Sequence, residues 1–259
     1  MDIQPRHVIC VLGRWSDFSD VRAAINSCGH DFTFDEQFSQ LLPDERMTTA
    51  FEASVDRSDP TITDKDWKDI QSHTAVAYLL SPPIRAQDAE SISGRALQLI
   101  ATLLNNGGLA AKSESAGLAH GRSRWVDLSR KYSDATSIGD LHAASATLYW
   151  TWVQRAIHDE STATLYSVGM HLLGHRDTEV EDSLELSTAI EWIDLMGLYL
   201  LADKPTRPVA DGNGFRLSED GPRRIIRQAA CYRYEDDDFF YNPYGYNRLV
   251  PDDASCQTD

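Results

Sequence analysis

The segment Val8-Ile-Cys-Val-Leu12 is apolar at every position and is closed by Gly13. A run with no polar face fits only where both sides are covered, so it dictates a buried strand between two layers. Ala75-Val-Ala-Tyr-Leu-Leu80 makes the same demand and is stopped by Pro82-Pro83, since proline supplies no N–H to a ladder. The segments around these runs have helical spacing. Asp17 to Asn26 places Phe18, Val21, Ala24 and Ile25 on one face, with Gly29 positioned as a cap. Asp64 to Ser72 turns Trp67 and Ile70 inward, and a helix capped by Ser91 or Ser93 runs to Leu104 with Ala96, Leu97, Ile100, Leu103 and Leu104 inward. Asn105-Asn-Gly-Gly108 ends that helix, and Leu109 to Ser115 follows as a strand. Residues 31–65, with Phe32, Phe34, Phe38 and Pro43 and the turn-rich Asp56 to Pro60, read as an irregular excursion containing a helix through Phe51.

A second block repeats this grammar: a helix from Leu141 to Ile157, a strand from Ala163 to Leu173, a helix from Leu186 to Leu201 and a strand from Gly214 to Leu217. The pattern predicts an α/β (α+β) fold with a mixed sheet flanked by helices. Residues 1–249 are expected to form one domain. The recurring strand, helix, strand order leaves open a duplication of halves 1–130 and 140–230. Residues 250–259 read as a mobile acidic tail.

Composition narrows the partners. The chain has 40 Asp plus Glu against 24 Lys plus Arg, a formal charge of -16, which repels phosphate backbones and anionic lipid and favours a basic protein. No nucleic acid or membrane partner is expected, and no window is long and apolar enough to span a bilayer. Met1-Asp-Ile-Gln-Pro-Arg-His7 lacks the apolar stretch of a secretion signal, so a cytoplasmic location is expected. Cys10, Cys28, Cys231 and Cys256 have no CxxC spacing and read as free thiols.

Candidate chemistry concentrates at Gly107-Gly-Leu-Ala-Ala-Lys-Ser-Glu-Ser-Ala-Gly-Leu-Ala-His120, followed by Trp125. In a strand, Lys112 and Glu114 share one face while Ser113 and Ser115 share the other. Lys112 and Glu114 then form an ion pair or a polar pocket. A catalytic reading makes Ser115 a nucleophile with His120 as its base, but the GxSxG elbow is missing; the structural alternative is a Lys112–Glu114 pair with Ser115 capping a helix. His171 and His175 have the spacing at which a helix can present two imidazoles to a metal, yet their context reads as strand into turn and the glutamate of HExxH is absent. His175-Arg-Asp177 lacks the glycine-rich loop and the asparagine that a kinase catalytic loop requires. Gly212-Asn-Gly214 is a turn, too short for a dinucleotide fingerprint. No cofactor or metal is expected. The aromatic helix around Tyr149, Trp150 and Trp152 reads as a core element, the alternative being that part of it forms a partner-binding patch.

Tyr232 to Tyr246 interleaves aromatics with acids. Rings give contact area at low entropic cost and acids select a basic partner. Tyr234, Glu235, Asp236, Asp237, Asp238, Phe239, Tyr241 and Tyr244 are therefore candidate partner-binding residues, against the alternative that the rings fold back and the acids are solvated.

The run GGLAAKSESAGLAH with its following Trp125, the opening strand His7 to Gly13 and the segment Gly169-Met-His-Leu-Leu-Gly174 resemble the domain of unknown function 4261 family over most of the chain. The family brings no enzymatic role. The resemblance implies a setting near secreted bacterial toxins, including type VI effectors, and thus an immunity-type protein that neutralises a cognate toxin in the cytoplasm by occlusion. The alternative is an enzyme with a pocket around Lys112, Glu114, Ser115 and His120.

Overall fold

The computed structural model describes residues 4–28, 31–56, 58–59 and 61–252. It is an α+β fold of two sheets flanked by helices. The first half forms β1 (Val8–Gly13), α1 (Ser19–Cys28), β2 (Thr33–Phe34), α2 (Met47–Ala53), α3 (Asp64–Gln71) and β3 (Ala75–Leu80), then α4 (Ala89–Asn105), β4 (Gly108–Ser113), β5 (Leu118–His120) and α5 (Arg122–Ser137). The second half forms α6 (Leu141–Trp152), β6 (Gln154–Asp159), β7 (Thr164–Val168), β8 (Asp177–Glu181), α7 (Leu186–Leu198), β9 (Gly214–Arg216), β10 (Arg223–Ala229) and β11 (Tyr246–Pro251). Among the described residues, no helix is long and apolar enough to cross a membrane.

The all-apolar β1 sits at the centre of the first sheet, whose order is β2-β3-β1-β4-β5 with antiparallel neighbours throughout. Its alternate residues face opposite layers, as the pleat requires. Ile9 and Val11 join the large core with α1 and α4, while Cys10 and Leu12 pack with Met47, Phe51 and Ile70 of α2 and α3. The second sheet has the order β6-β7-β8-β11-β10-β9, with β11 parallel to β8 and antiparallel to β10. The two halves thus carry one sheet each, with different strand orders.

Several boundaries differ from the sequence reading. α4 begins at Ala89, so neither Ser91 nor Ser93 caps it; Ser93 is buried and donates to the Leu172 carbonyl at 2.8 Å. β4 ends at Ser113, which leaves Glu114 and Ser115 in the following turn. The helix expected from Leu141 to Ile157 stops at Trp152, where Val153 turns extended and β6 begins. The strand expected from Ala163 to Leu173 ends at Val168; Gly169, at φ 123°, starts a 3-10 turn from Met170 to Leu173. A side chain there would meet the Trp152 carbonyl oxygen at 2.0 Å, so this crossing needs glycine. β8, β10 and β11 were not anticipated. Val250 and Pro251, assigned to the tail, complete β11; 253–259 and the expected cap Gly29 lie outside the described residues.

The halves are joined by an aromatic stack. The His7 ring lies 4.3 Å from Trp152, Trp152 lies 5.6 Å from Trp125, and Trp125 lies 4.8 Å from His120. His7 Nε2 bonds Ser93 Oγ at 2.8 Å, His120 Nε2 donates to the Thr151 carbonyl at 3.1 Å, and Trp125 Nε1 donates to the Ala111 carbonyl at 3.0 Å.

Burial disfavours charge on these histidines, lowering His7 from 6.5 to about 3 and both His120 and His171 to about 4. They stay neutral in the fold while the unfolded chain takes up protons below about pH 6.5, so stability is full above that pH and falls toward about pH 4. Asp177 acts oppositely: burial raises its carboxyl to about 7, against the donors Asn242, Met170 and Ser167. Burial raises Asp194 as well; with more such histidines than raised acids, the melting temperature is expected to drop steadily between about pH 6.5 and 4.5 in calorimetry, and His120→Phe to make the drop shallower.

Candidate functional site

The register of the first sheet aligns Tyr78, Cys10 and Lys112 in one row across β3, β1 and β4, with Leu80 beside Val8 two positions along the same face. Val8, Tyr78, Leu80 and Lys112 floor a groove of about 630 Å³, while Cys10 is fully buried and does not line it. Met47 and Ala50 of α2 form one wall, Asp35 and Phe38 come from the loop after β2, and Arg6, Arg46, Glu114 and Phe239 complete the rim. Phe38 and Phe239 are exposed although both are large and apolar.

Lys112 is buried in this groove and its Nζ lies 2.8 Å from Glu114 Oε2. Tyr78 Oη donates to Glu114 Oε1 at 3.4 Å, and the ammonium stands 6.0 Å from the centre of the Phe51 ring. Burial pushes the thiol of Cys10, beneath the groove, up to about 12, with Glu114 adding to the effect. Burial also raises the Tyr78 phenol. Lys112 and Glu114 pair, and both line the groove.

Ser115 and His120 do not join it. Ser115 Oγ donates to the Arg6 carbonyl at 2.7 Å and accepts from the Val8 amide at 2.9 Å. Ser115 therefore caps no helix and faces no base; it latches the N-terminal side of β1 to the turn after β4. His120 and Trp125 belong to the buried stack. The Ser115–His120 nucleophile and base do not meet, which removes the geometry that acyl-transfer chemistry requires. His171 lies buried in the 3-10 turn, while His175 lines a separate cavity. Among the described residues no group of three or more His, Cys, Asp or Glu side chains is placed to hold a metal ion.

The aromatic and acidic segment is the loop between β10 and β11. Its rings and acids separate by role. Tyr234 Oη bonds Tyr166 Oη at 2.6 Å and Tyr234 packs edge-on against Phe240, 5.4 Å away. Glu235, Asp236, Asp237, Asp238 and Phe239 are all exposed. Tyr241 is half-buried, and Tyr244, also half-buried, lines another cavity. Of the candidate partner-binding residues, then, Tyr234 is committed to the fold and the stretch from Glu235 to Phe239 is presented.

Arg233, which sequence reasoning missed, anchors this loop. Its Nε bonds Asp159 Oδ2 at 2.8 Å and its guanidinium reaches the buried Glu179 at 2.5 Å. Tyr166, Tyr232 and Tyr246 present their ring faces to it at 4.3, 4.5 and 4.8 Å. Nothing local in the sequence signals the cluster, because its members lie on β6, β7, β8 and β11 as well as the loop. Part of the groove lining was more accessible: alternation along a recognised strand places Tyr78 with Leu80 on a single face.

No family model, no curated protein and no solved structure matches this chain.

Removing one partner of the Lys112–Glu114 pair strands the other in a largely dry site. Lys112→Met is expected to lower stability by about 1–3 kcal/mol. The double variant Lys112→Met with Glu114→Gln is expected to be less destabilised than the two single effects added, measured by urea denaturation as a double-mutant cycle.

Proposed function

We propose that the chain is a non-enzymatic, immunity-type protein that binds and neutralises a toxin acting in the bacterial cytoplasm, by occlusion. The observation that carries this reading is the position of Phe239. It ends the exposed acidic stretch Glu235 to Asp238 and also lines the groove that holds Lys112 and Glu114. The two features singled out in the sequence therefore form one continuous surface. An apolar socket rimmed by exposed rings suits an anchoring side chain of a partner, and the neighbouring acids suit a basic surface around that anchor. The formal charge of -16 extends the attraction beyond the contact itself. The resemblance to proteins found near secreted toxins supplies the setting, with a type VI effector as the expected partner. Binding by occlusion asks no reaction of the groove, where the lysine is paired with Glu114.

Co-expression and pull-down with the products of the adjacent genes test the reading: one of them is expected to be captured and its toxicity suppressed. Replacing Asp236, Asp237 and Asp238 by Asn is expected to slow association several-fold at low salt and to flatten its salt dependence. Phe239→Ala is expected to act mainly on dissociation. Failure of every neighbouring toxin to bind, or association rates unchanged by the charge substitutions, would count against this surface.

A further inference from the structure

The second sheet carries a polar row that its covering helix does not reach. On the α7 side, Val180, Leu249 and Ile226 pack against Ala189, Trp192, Ile193 and Met196. Two positions away on that same face, Thr178, Asn247 and Gln228 lie side by side across β8, β11 and β10. α7 gives out just there. It loosens into a π turn from Tyr199 to Asp203, Lys204 takes the left-handed φ of 48°, and the chain departs through Pro205 and Pro208. A second cavity of about 630 Å³ results, lined by Arg176, His175, Lys204, Tyr244, Gln228 and Asn247 among others. That volume is in the range of small-molecule sites.

Two groups in it ask for a ligand. Arg176 is half-buried, donates to the Ala229 carbonyl at 3.1 Å, and forms no salt bridge among the described residues. The buried arginines Arg155, Arg224 and Arg233 each sit on a carboxylate. The nearby acid, Glu90, is already engaged by Lys204 at 2.8 Å and by the Ser145 hydroxyl at 2.5 Å. An arginine without a carboxylate in so acidic a chain is a ready site for an anion. The second group is Asn247, which is 1% exposed and whose Oδ1 has no hydrogen-bond partner in the fold. A buried acceptor of this kind costs free energy until a donor reaches it. Burial lowers the His175 pKa, which favours its neutral, hydrogen-bonding form.

We infer that this cavity binds a small organic anion whose carboxylate or phosphate pairs with Arg176 and whose N–H donates to Asn247 Oδ1. Its body lies against Tyr244, Leu200 and the prolines. The site is separate from the groove at Phe239, and it stands whether or not a toxin binds there.

Isothermal titration with two probes tests it: adenosine monophosphate, which joins a phosphate to an amine, and indole-3-acetate, which joins a carboxylate to a ring N–H. At least one is expected to bind saturably at one site with Kd below about 1 mM, and the one that binds identifies the anionic group. Arg176→Gln is expected to weaken binding by about tenfold or more, the loss of one charged hydrogen-bonding partner. Arg176→Lys is expected to recover part of it. Arg227→Gln, at an exposed arginine on Asp211 outside the cavity, is expected to bind as the parent does. Melting curves confirm that each variant is folded. Absence of saturable binding by both probes, or a smaller loss in folded Arg176→Gln, overturns the inference.

Discussion

The stack of His7, Trp152, Trp125 and His120 sits where the first sheet, the helices α5 and α6, and the turn leading into the second sheet all meet, and the surrounding structure is arranged to keep it dry. Each indole removes a large apolar area from water, on the order of 150–250 Å², so the joint is a major share of what holds the halves together. The two imidazoles at its ends are tolerated because they stay neutral and each has a partner, Ser93 for His7 and the Thr151 carbonyl for His120. The close approach of Gly169 to the Trp152 carbonyl belongs to the same joint: the chain passes directly behind the stack on its way into the second sheet.

With the halves fixed in this way, the loop between β10 and β11 can be brought across to the first sheet. Arg233 makes that possible. Held by Glu179 and Asp159 and enclosed by tyrosine rings, it lets an acidic segment be both ordered and exposed. Tyr234 and Phe240 pack together, the acids from Glu235 to Asp238 face out, and Phe239 reaches the groove over Lys112. The groove and the acidic stretch are thus brought side by side from positions more than a hundred residues apart. On the groove floor Lys112 is paired with Glu114, which fits the proposed role in which shape and charge do the selecting.

The parts of the fold that were legible are those whose burial shows in local pattern. β1, β3 and α4 announce themselves because a continuous apolar run, or one at helical spacing, has no other place to go. β8 was not legible: Asp177-Thr-Glu-Val-Glu181 reads as a solvated acidic stretch, yet Asp177 and Glu179 are buried against Asn242 and Arg233, more than fifty residues away. The overrun of α6 has a similar origin. Ile157 continues the helical spacing, and what stops the helix is the extended Val153 and the positive φ of Ala156. At the candidate site, the Lys112–Glu114 pair followed from near-neighbour spacing. The role of Ser115 did not, because its partners Arg6 and Val8 lie more than a hundred residues earlier in the chain.

The last strand has a further consequence. β11 lies between β8 and β10 and hydrogen-bonds to both. Until it is in place the second sheet is two separate ribbons, β6-β7-β8 and β9-β10, each with an open edge ready to pair with another chain. During synthesis those edges wait for Tyr246 to Pro251 to emerge before the sheet can close. A break in translation just upstream of Tyr246 would therefore yield a sticky, unfinished protein and not a slightly shorter one.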